Sequence, residues 1–226
     1  MKTFAIIPSG GEGKRIGGSL PKQYMKFNGK EMIVYTLEVF QECNDVDEII
    51  VAAREEFFDL IYELKDKYNL TKLSRVISGG NERQDSVYNA LFSISLDGDD
   101  LVAVHDAARP LLPQNILVAA INSAKKFDSI VVALKAKDTL VNAGDFIQDY
   151  LSRDNTFCVQ TPQIFKADIL IDAFEKAKAD NFYGTDESML VTRASYKVKI
   201  VEGSALNFKV TAKSDVELFE KLIKKL

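Results

Sequence analysis

Five short apolar runs, spaced by segments of helical periodicity, constrain this chain more than any other feature. They are Phe4–Ile7, Glu48–Ala53 (EIIVAA), Ser74–Ser78, Leu101–Val104 and Ser129–Leu134. Each is too short for a stable helix and reads as a buried strand. Between them, Met32, Ile33, Leu37 and Phe40 recur at helical spacing, as do Phe58, Ile61, Leu64 and Tyr68, and again Val87, Ala90, Leu91 and Ile94. Helices are therefore expected over 32–40, 55–68 and 83–95, with another over 114–126. Strands alternating with helices predict an α/β fold: a mostly parallel sheet covered by helices on both faces. In such sheets ligands sit beyond the carboxyl ends of the strands. The loops at 8–24, 79–86 and 105–110 are expected to share that edge.

The rhythm breaks after the fifth strand. Residues 135–157 (KAKDTLVNAGDFIQDYLSRDNTF) read as a protruding hairpin with its turn at Asn142-Ala143-Gly144. It is either a surface excursion or an arm for a partner. A helix over Ala167–Ala179 follows. Thr185-Asp186-Glu187 reads as an N-cap with acids in the first turn. Strands are expected over Lys197–Val201 and Phe208–Thr211, the latter carrying Lys209, and Ser214 is expected to cap the last helix. With no internal repeat, low-complexity tract or linker, residues 1–226 are expected to form one domain.

Composition narrows the partners. A sequence pI near 5.2 argues against general nucleic-acid binding. Two cysteines, Cys43 and Cys158, have no metal-type spacing, and the single histidine, His105, excludes sites built from several imidazoles. Pro8 and the glycines interrupt any signal-peptide core, and no run approaches a membrane span. A cytoplasmic protein without a membrane partner is expected.

The first strand opens into a basic, glycine-rich loop, PSGGEGKRIGGSLPKQY, holding Gly10, Gly11, Gly13, Gly17 and Gly18. Residues 1–30 carry six basic side chains and one acid, while the other 196 residues carry a net −9. Glycines let backbone N–H groups converge on an anion, and Lys14, Arg15 and Lys22 add charge. The loop fits neither common phosphate pattern: Gly13-Lys14 is followed by Arg15 where a Walker loop needs Ser or Thr, and Ile16 stands where a dinucleotide loop needs its third glycine. A polyanion such as a phosphate ester explains the charge asymmetry; a solvated surface loop is the plain alternative.

Pro8-Ser9-Gly10-Gly11-Glu12-Gly13-Lys14-Arg15, then Pro21-Lys22-Gln23-Tyr24, resembles the signature of the sugar-phosphate cytidylyltransferases, with Ser9 and Gly10 in place of the usual alanines. Four further blocks extend the resemblance from about residue 4 to 218. They are Gly79–Ser86 (GGNERQDS), Leu101–Pro110 (LVAVHDAARP), Arg153 with Thr161, and Thr185 with Lys209. Thr192 and Ser195 depart from the family pattern in the helix after Thr185.

The resemblance implies a Rossmann-like sheet of the nucleotide-diphospho-sugar transferase type, with the hairpin at about 135–157 as the arm of a homodimer. It implies transfer of CMP from CTP to a polyol phosphate, with Mg2+ as cofactor and pyrophosphate as the second product. One branch of the family takes 2-C-methyl-D-erythritol 4-phosphate, in non-mevalonate isoprenoid synthesis; another takes ribitol 5-phosphate. HDAARP, PKQY and GGNERQDSV look closer to the first. It implies catalytic roles for Arg15, Lys22, Arg153 and Lys209. Nucleotide contacts are implied at Pro8, Ser9, Gly10, Gly11, Gly13, Gly80, Asn81 and Ser86. Acceptor contacts are implied at Asp106, Ala107, Arg153, Thr161, Thr185 and Lys209, with Arg153 and Thr161 reaching across the dimer. Asp106 is also the candidate metal ligand.

Read from the residues alone, several of these positions stay open. Lys22 and Lys209 are as readily solvated lysines, Asp106 a strand-end turn cap, and Gly79–Ser86 a loop with a helix cap. Arg109 reads as structural, and His105 as satisfying a backbone group because its side chain alternates away from Asp106. A CTP-binding protein without catalysis is the rival of a different class; it would not need the four cations Arg15, Lys22, Arg153 and Lys209. A nicotinamide dehydrogenase is disfavoured by the glycine spacing. The chemistry itself asks little covalent work of the protein. A phosphate oxygen, already ionised, attacks the α-phosphorus of CTP, and fixed cations stabilise the added negative charge. Replacing Lys22 by Ala should therefore lower turnover far more than CTP affinity. Equal losses in steady-state kinetics and in a CTP titration would reassign Lys22 to ground-state binding.

Overall fold

The computed structural model describes residues 1–11 and 20–224. Along the chain come β1 (Thr3–Pro8), β2 (Lys26–Phe27), β3 (Lys30–Glu31), α1 (Met32–Glu42), β4 (Glu48–Ala53) and α2 (Phe58–Lys67). Then follow β5 (Leu73–Ser78), α3 (Arg83–Leu91), β6 (Leu101–Val104), α4 (Gln114–Phe127), β7 (Ser129–Lys135), β8 (Val141–Ala143) and β9 (Ile147–Tyr150). The last elements are β10 (Phe157–Lys166), α5 (Ala167–Ala179), α6 (Glu187–Arg193), β11 (Lys199–Glu202) and α7 (Lys213–Ile223).

Seven strands form one sheet in the order β11-β7-β10-β6-β1-β4-β5. β1 pairs parallel with β4 and β6, β4 with β5, and β11 with β7. β10 is the exception, antiparallel to both β6 and β7. The expected α/β sheet with helices on both faces is thus present. Alternation along β1 explains the two layers. Ala5 and Ile7 face one core with α1, α2 and α4, through Leu37, Ile61 and Ile121. Phe4 and Ile6 face the other with α3, α5 and α6, through Val87, Phe174 and Val191. A third cluster seats α7: Phe219 packs edge-on against Phe27 and Tyr35 at 5.3 Å from each.

Several expectations need correction. The central strand β10 was not foreseen. Its sequence carries Pro162, which cannot donate to a ladder, and its register shifts between Val159 and Gln163, where that proline sits. Phe208–Thr211 is not a strand; it is irregular chain tied down by Val210 N–H donating to Ala108 O at 2.8 Å. Ser214 lies inside α7 rather than capping it. Asp215 does that work, accepting from the N–H groups of Thr211 and Ala212 at 2.8 Å each. The N-cap of α6 is Asp186, which accepts from Met189 N, and not Thr185. α3 stops at Leu91, short of residue 95, and β11 begins two residues later than expected.

The hairpin at 135–157 exists, with its turn one step further on. Asn142 and Ala143 belong to β8, which pairs antiparallel with β9, and the connection runs through residues 144–146. Every residue of β8 and β9 is exposed, and Phe146 at the tip is 84% exposed.

Candidate active site

The carboxyl ends of β1, β4, β5 and β6 open into one cavity of about 830 Å³, large enough for a nucleotide and part of a second substrate. The loops at 8–11, 80–86 and 106–108 line it together with Lys22, Gln23, Arg54 and Lys209. Among the described residues that line it, four cations (Lys22, Arg54, Arg83, Lys209) face two acids (Glu82, Asp106), so the cavity suits an anion.

Its floor is the parallel ladder carried one residue past each strand. Ser9 N–H donates to Ala52 O at 2.7 Å, Gly79 N–H to Ala53 O at 2.8 Å, and His105 N–H to Ile6 O at 3.0 Å. The glycine loop is then tied down by the motif after it. Gln23 Nε2 donates to Ser9 O at 2.7 Å and Gly11 O at 2.8 Å, and Tyr24 Oη lies 2.9 Å from Ser9 Oγ. Tyr24 stacks on Phe57 with ring centroids 4.2 Å apart, and burial pushes its hydroxyl up to about 12, so it stays neutral. Of the residues implied in this loop, Pro8, Ser9, Gly10, Gly11 and Lys22 line the cavity. Gly13 and Arg15 lie outside the described residues, as does Lys14. Lys22 Nζ donates to Val210 O at 2.6 Å, which holds it on the wall beside Lys209.

The second block works by backbone. Ser86 is buried in the first turn of α3, accepts from Gly80 N–H at 3.0 Å and donates to Glu82 O at 3.1 Å. This closes the turn and leaves Gly80 and Asn81 on the cavity wall. A Cβ on Gly80 would lie 2.1 Å from the Cβ of Asp85, so only glycine fits there without moving the start of α3.

The third block centres on Asp106, which is buried. Its Oδ1 accepts from Arg83 Nε at 3.0 Å; its Oδ2 lies 2.9 Å from Lys209 Nζ and 3.5 Å from Arg109 Nε. Burial alone would raise its pKa, but Arg83, Lys209 and Arg109 outweigh that and hold the carboxyl far below the usual range. It is an anion at any working pH. Ala107 lines the cavity too, its carbonyl accepting from Thr36 Oγ1 at 2.9 Å. As a metal ligand, Asp106 fits poorly: both oxygens already face cations. Among the described residues, no group of three or more His, Cys, Asp or Glu side chains converges.

The remaining implied residues fall elsewhere. Thr161 does not reach the cavity surface. It is buried beneath Asp106, accepting from Asp106 N–H at 3.1 Å and meeting His105 Nδ1 at 3.1 Å. Arg153 lies in an exposed turn at the base of the arm, and Thr185 is exposed just before α6; neither lines the cavity. Arg109 is structural as expected, its Nη1 donating to Asn207 O at 2.8 Å.

Sequence reasoning passed over Gln23, Arg83 and Glu187. Arg83 bridges Asp106 to Glu187, donating from Nη1 and Nη2 to the Glu187 carboxylate at 2.7 and 3.0 Å. All three lie in or beside motif blocks, which was their only signal in the sequence.

His105 is fully buried, against Phe40. With the Thr161 hydroxyl accepting from Asp106 N–H, its proton points to Nδ1, and Nε2–H donates to Arg109 O at 3.1 Å. That is the neutral ring, and burial drops its pKa from 6.5 to about 4. The unfolded chain therefore binds a proton that the folded chain refuses between pH 6.5 and 4, so stability falls as pH falls through that window. Urea unfolding at pH 7 and pH 5 should differ by about 2 kcal/mol more in the native protein than in His105→Gln, which removes the only imidazole. Equal differences would contradict a buried neutral histidine.

A sequence model of the family described as IspD, 2-C-methyl-D-erythritol 4-phosphate cytidylyltransferase, matches residues 3–225. A protein of that name from Clostridium botulinum (strain Langeland) is 37% identical over 227 residues, covering 100% of this chain and 99% of its own. Another from Syntrophus aciditrophicus is 37% identical over 99% of this chain and 97% of its own. Among solved structures, the Francisella tularensis enzyme of the same name superposes with a TM-score of 0.84 at 31% identity, covering 98% of this chain and 99% of its own. The 4-diphosphocytidyl-2C-methyl-D-erythritol synthase of Anaerococcus prevotii gives 0.85 at 27% identity, covering 99% and 98%.

Proposed function

The chain belongs to the 2-C-methyl-D-erythritol 4-phosphate cytidylyltransferase family, and on that premise we propose that it transfers CMP from CTP to 2-C-methyl-D-erythritol 4-phosphate. The products are the CDP-alcohol and pyrophosphate, at a step of non-mevalonate isoprenoid biosynthesis. One observation carries the reading: three motif blocks far apart in sequence, at 8–11, 80–86 and 106–108, line a single cavity with Lys22 and Lys209 on its wall.

The chemistry follows from that arrangement. An oxygen of the acceptor phosphate forms a bond to the α-phosphorus of CTP, and the bond from that phosphorus to the bridging oxygen of pyrophosphate breaks. The nucleophile is already an anion, so no proton must be removed. That suits a cavity whose neighbouring histidine is neutral, buried and committed to backbone and hydroxyl partners. Lys22 and Lys209 supply positive charge where the transition state gains negative charge. Gly80, Asn81 and Ser86 form the wall suited to the base and ribose, and Asp106 with Ala107 the wall suited to the polyol. For Arg15 and Gly13 the proposed roles rest on the sequence resemblance alone. Magnesium belongs to this proposal as the counter-ion that the triphosphate brings; among the described residues no group of three or more His, Cys, Asp or Glu side chains converges to hold it.

The arm completes the proposal. Phe146, Ile147, Tyr150 and Leu151 are exposed on a hairpin that touches little of its own chain, and an isolated hairpin is marginal in water. We assign its cover to a second copy of the chain, in a homodimer whose arm brings Arg153 to the partner's acceptor site. The position of Arg153 supports this, since it does not line the cavity within one chain.

Pyrophosphate release should depend on CTP and 2-C-methyl-D-erythritol 4-phosphate together. Faster turnover with ribitol 5-phosphate would move the substrate assignment while keeping the chemistry. No release with either acceptor, while CTP still raises the melting temperature, would favour the binding-protein rival. In sedimentation, the native protein should run as a dimer and the double variant Phe146→Asp, Tyr150→Asp as a monomer with turnover lost; a native monomer with full activity would remove the arm from the site.

A further inference from the structure

Arg83 stands where the nucleotide wall meets the acceptor wall. It is the first residue of α3, directly after Gly80, Asn81 and Glu82 on the cavity wall. Its two terminal nitrogens grip both oxygens of Glu187 at 2.7 and 3.0 Å, and its Nε donates to Asp106 Oδ1 at 3.0 Å. The Glu187 side chain is 1% exposed. A two-point fork on a buried carboxylate fixes the plane of the guanidinium, so the direction of its third bond is fixed as well. The neighbouring Gln84 holds the same distant segment: Nε2 donates to Phe182 O at 3.1 Å, and Oε1 accepts from Gly184 N–H at 2.8 Å. The first turn of α3 therefore clamps the chain on both sides of Thr185 while it orients Asp106. Buried ion pairs are poor sources of net stability, because the charges must first leave water. The geometry of this one serves alignment.

We propose that Arg83, anchored by Glu187, is a positioning residue that sets the Asp106 carboxylate and the Thr185 segment for the polyol phosphate. It also locks that acceptor wall to the loop that reads the nucleotide. The inference rests on the cytidylyltransferase reading above and assigns roles to two residues that reading does not use.

The test compares native protein with Arg83→Lys, which keeps the charge and loses the fork, and Glu187→Gln, which keeps the size and loses the anchor charge. With each substrate varied in turn, both variants should raise KM for 2-C-methyl-D-erythritol 4-phosphate roughly tenfold or more, a loss typical of misplaced orienting groups. KM for CTP should stay within roughly threefold of native. The double variant should do little more than either single change, since the two residues act through one contact. If Glu187→Gln does not fold, Gln84→Ala loosens the same segment without exposing a buried charge and should raise the acceptor KM alone. Equal rises in both KM values, or a lowered melting temperature with unchanged kinetics, would overturn the proposal in favour of a general structural role. A native protein that binds CTP but shows no turnover with this acceptor would instead bring down the cytidylyltransferase reading, and this inference with it.

Discussion

The site depends on keeping one carboxylate, Asp106, ionised inside the protein. Taking an isolated carboxylate out of water costs several kcal/mol even after relaxation. The cost is offset only because three cations converge on it from separate parts of the chain. Arg83 comes from the start of α3, Arg109 from the loop after β6, and Lys209 from the irregular stretch before α7. Two of those cations are held in turn, Arg83 by Glu187 and Arg109 by the Asn207 carbonyl. The buried charge thus acts as a registration point: three elements must be in place before any of them is satisfied.

The backbone beneath the charge cluster is equally committed. Thr161 on β10 meets both the Asp106 N–H and the His105 ring, and Asn207 Nδ2 donates to the Thr161 carbonyl at 2.7 Å. An antiparallel strand in the middle of an otherwise parallel sheet makes this possible. It brings residues 160–163 alongside the carboxyl end of β6, where a parallel strand would present its own last residues. The bulge at Val159–Gln163 adjusts that approach. A residue that resemblance alone places against substrate is, within one chain, a support beneath it.

Much of this was legible in the sequence, for reasons that also explain what was not. The cores of β1, β4, β6 and β7 are apolar runs because both faces of the sheet are covered there, and a period-free run of that length has few other homes; the edge strand β5 is more mixed, with Ser74 and Arg75 exposed. β10 escaped because Pro162 and the polar Gln160, Thr161 and Gln163 argue against a central strand, and the partners these side chains find, Ser204, Asn207, Asp106 and Ser188, lie far away in sequence. Phe208–Thr211 failed in the opposite direction: it alternates like a strand but has a single backbone bond to Ala108 to show for it. Among site residues, glycines and lysines announced themselves through local composition. The Arg83–Glu187 pair spans 104 residues, and an ion pair across such a distance leaves no periodic trace in a single sequence.

Lys22 and Lys209 sit on one wall but come from opposite ends of the chain, joined through the Val210 carbonyl across 188 residues. During synthesis the nucleotide loop and the first five strands emerge long before that wall can exist. A nascent chain already able to shape the base-reading edge would carry an incomplete ring of charge until the stretch around Lys209 had followed. Chemical competence is thereby deferred until that stretch is made, and a chain terminated before it would lack Lys209 to complete the wall.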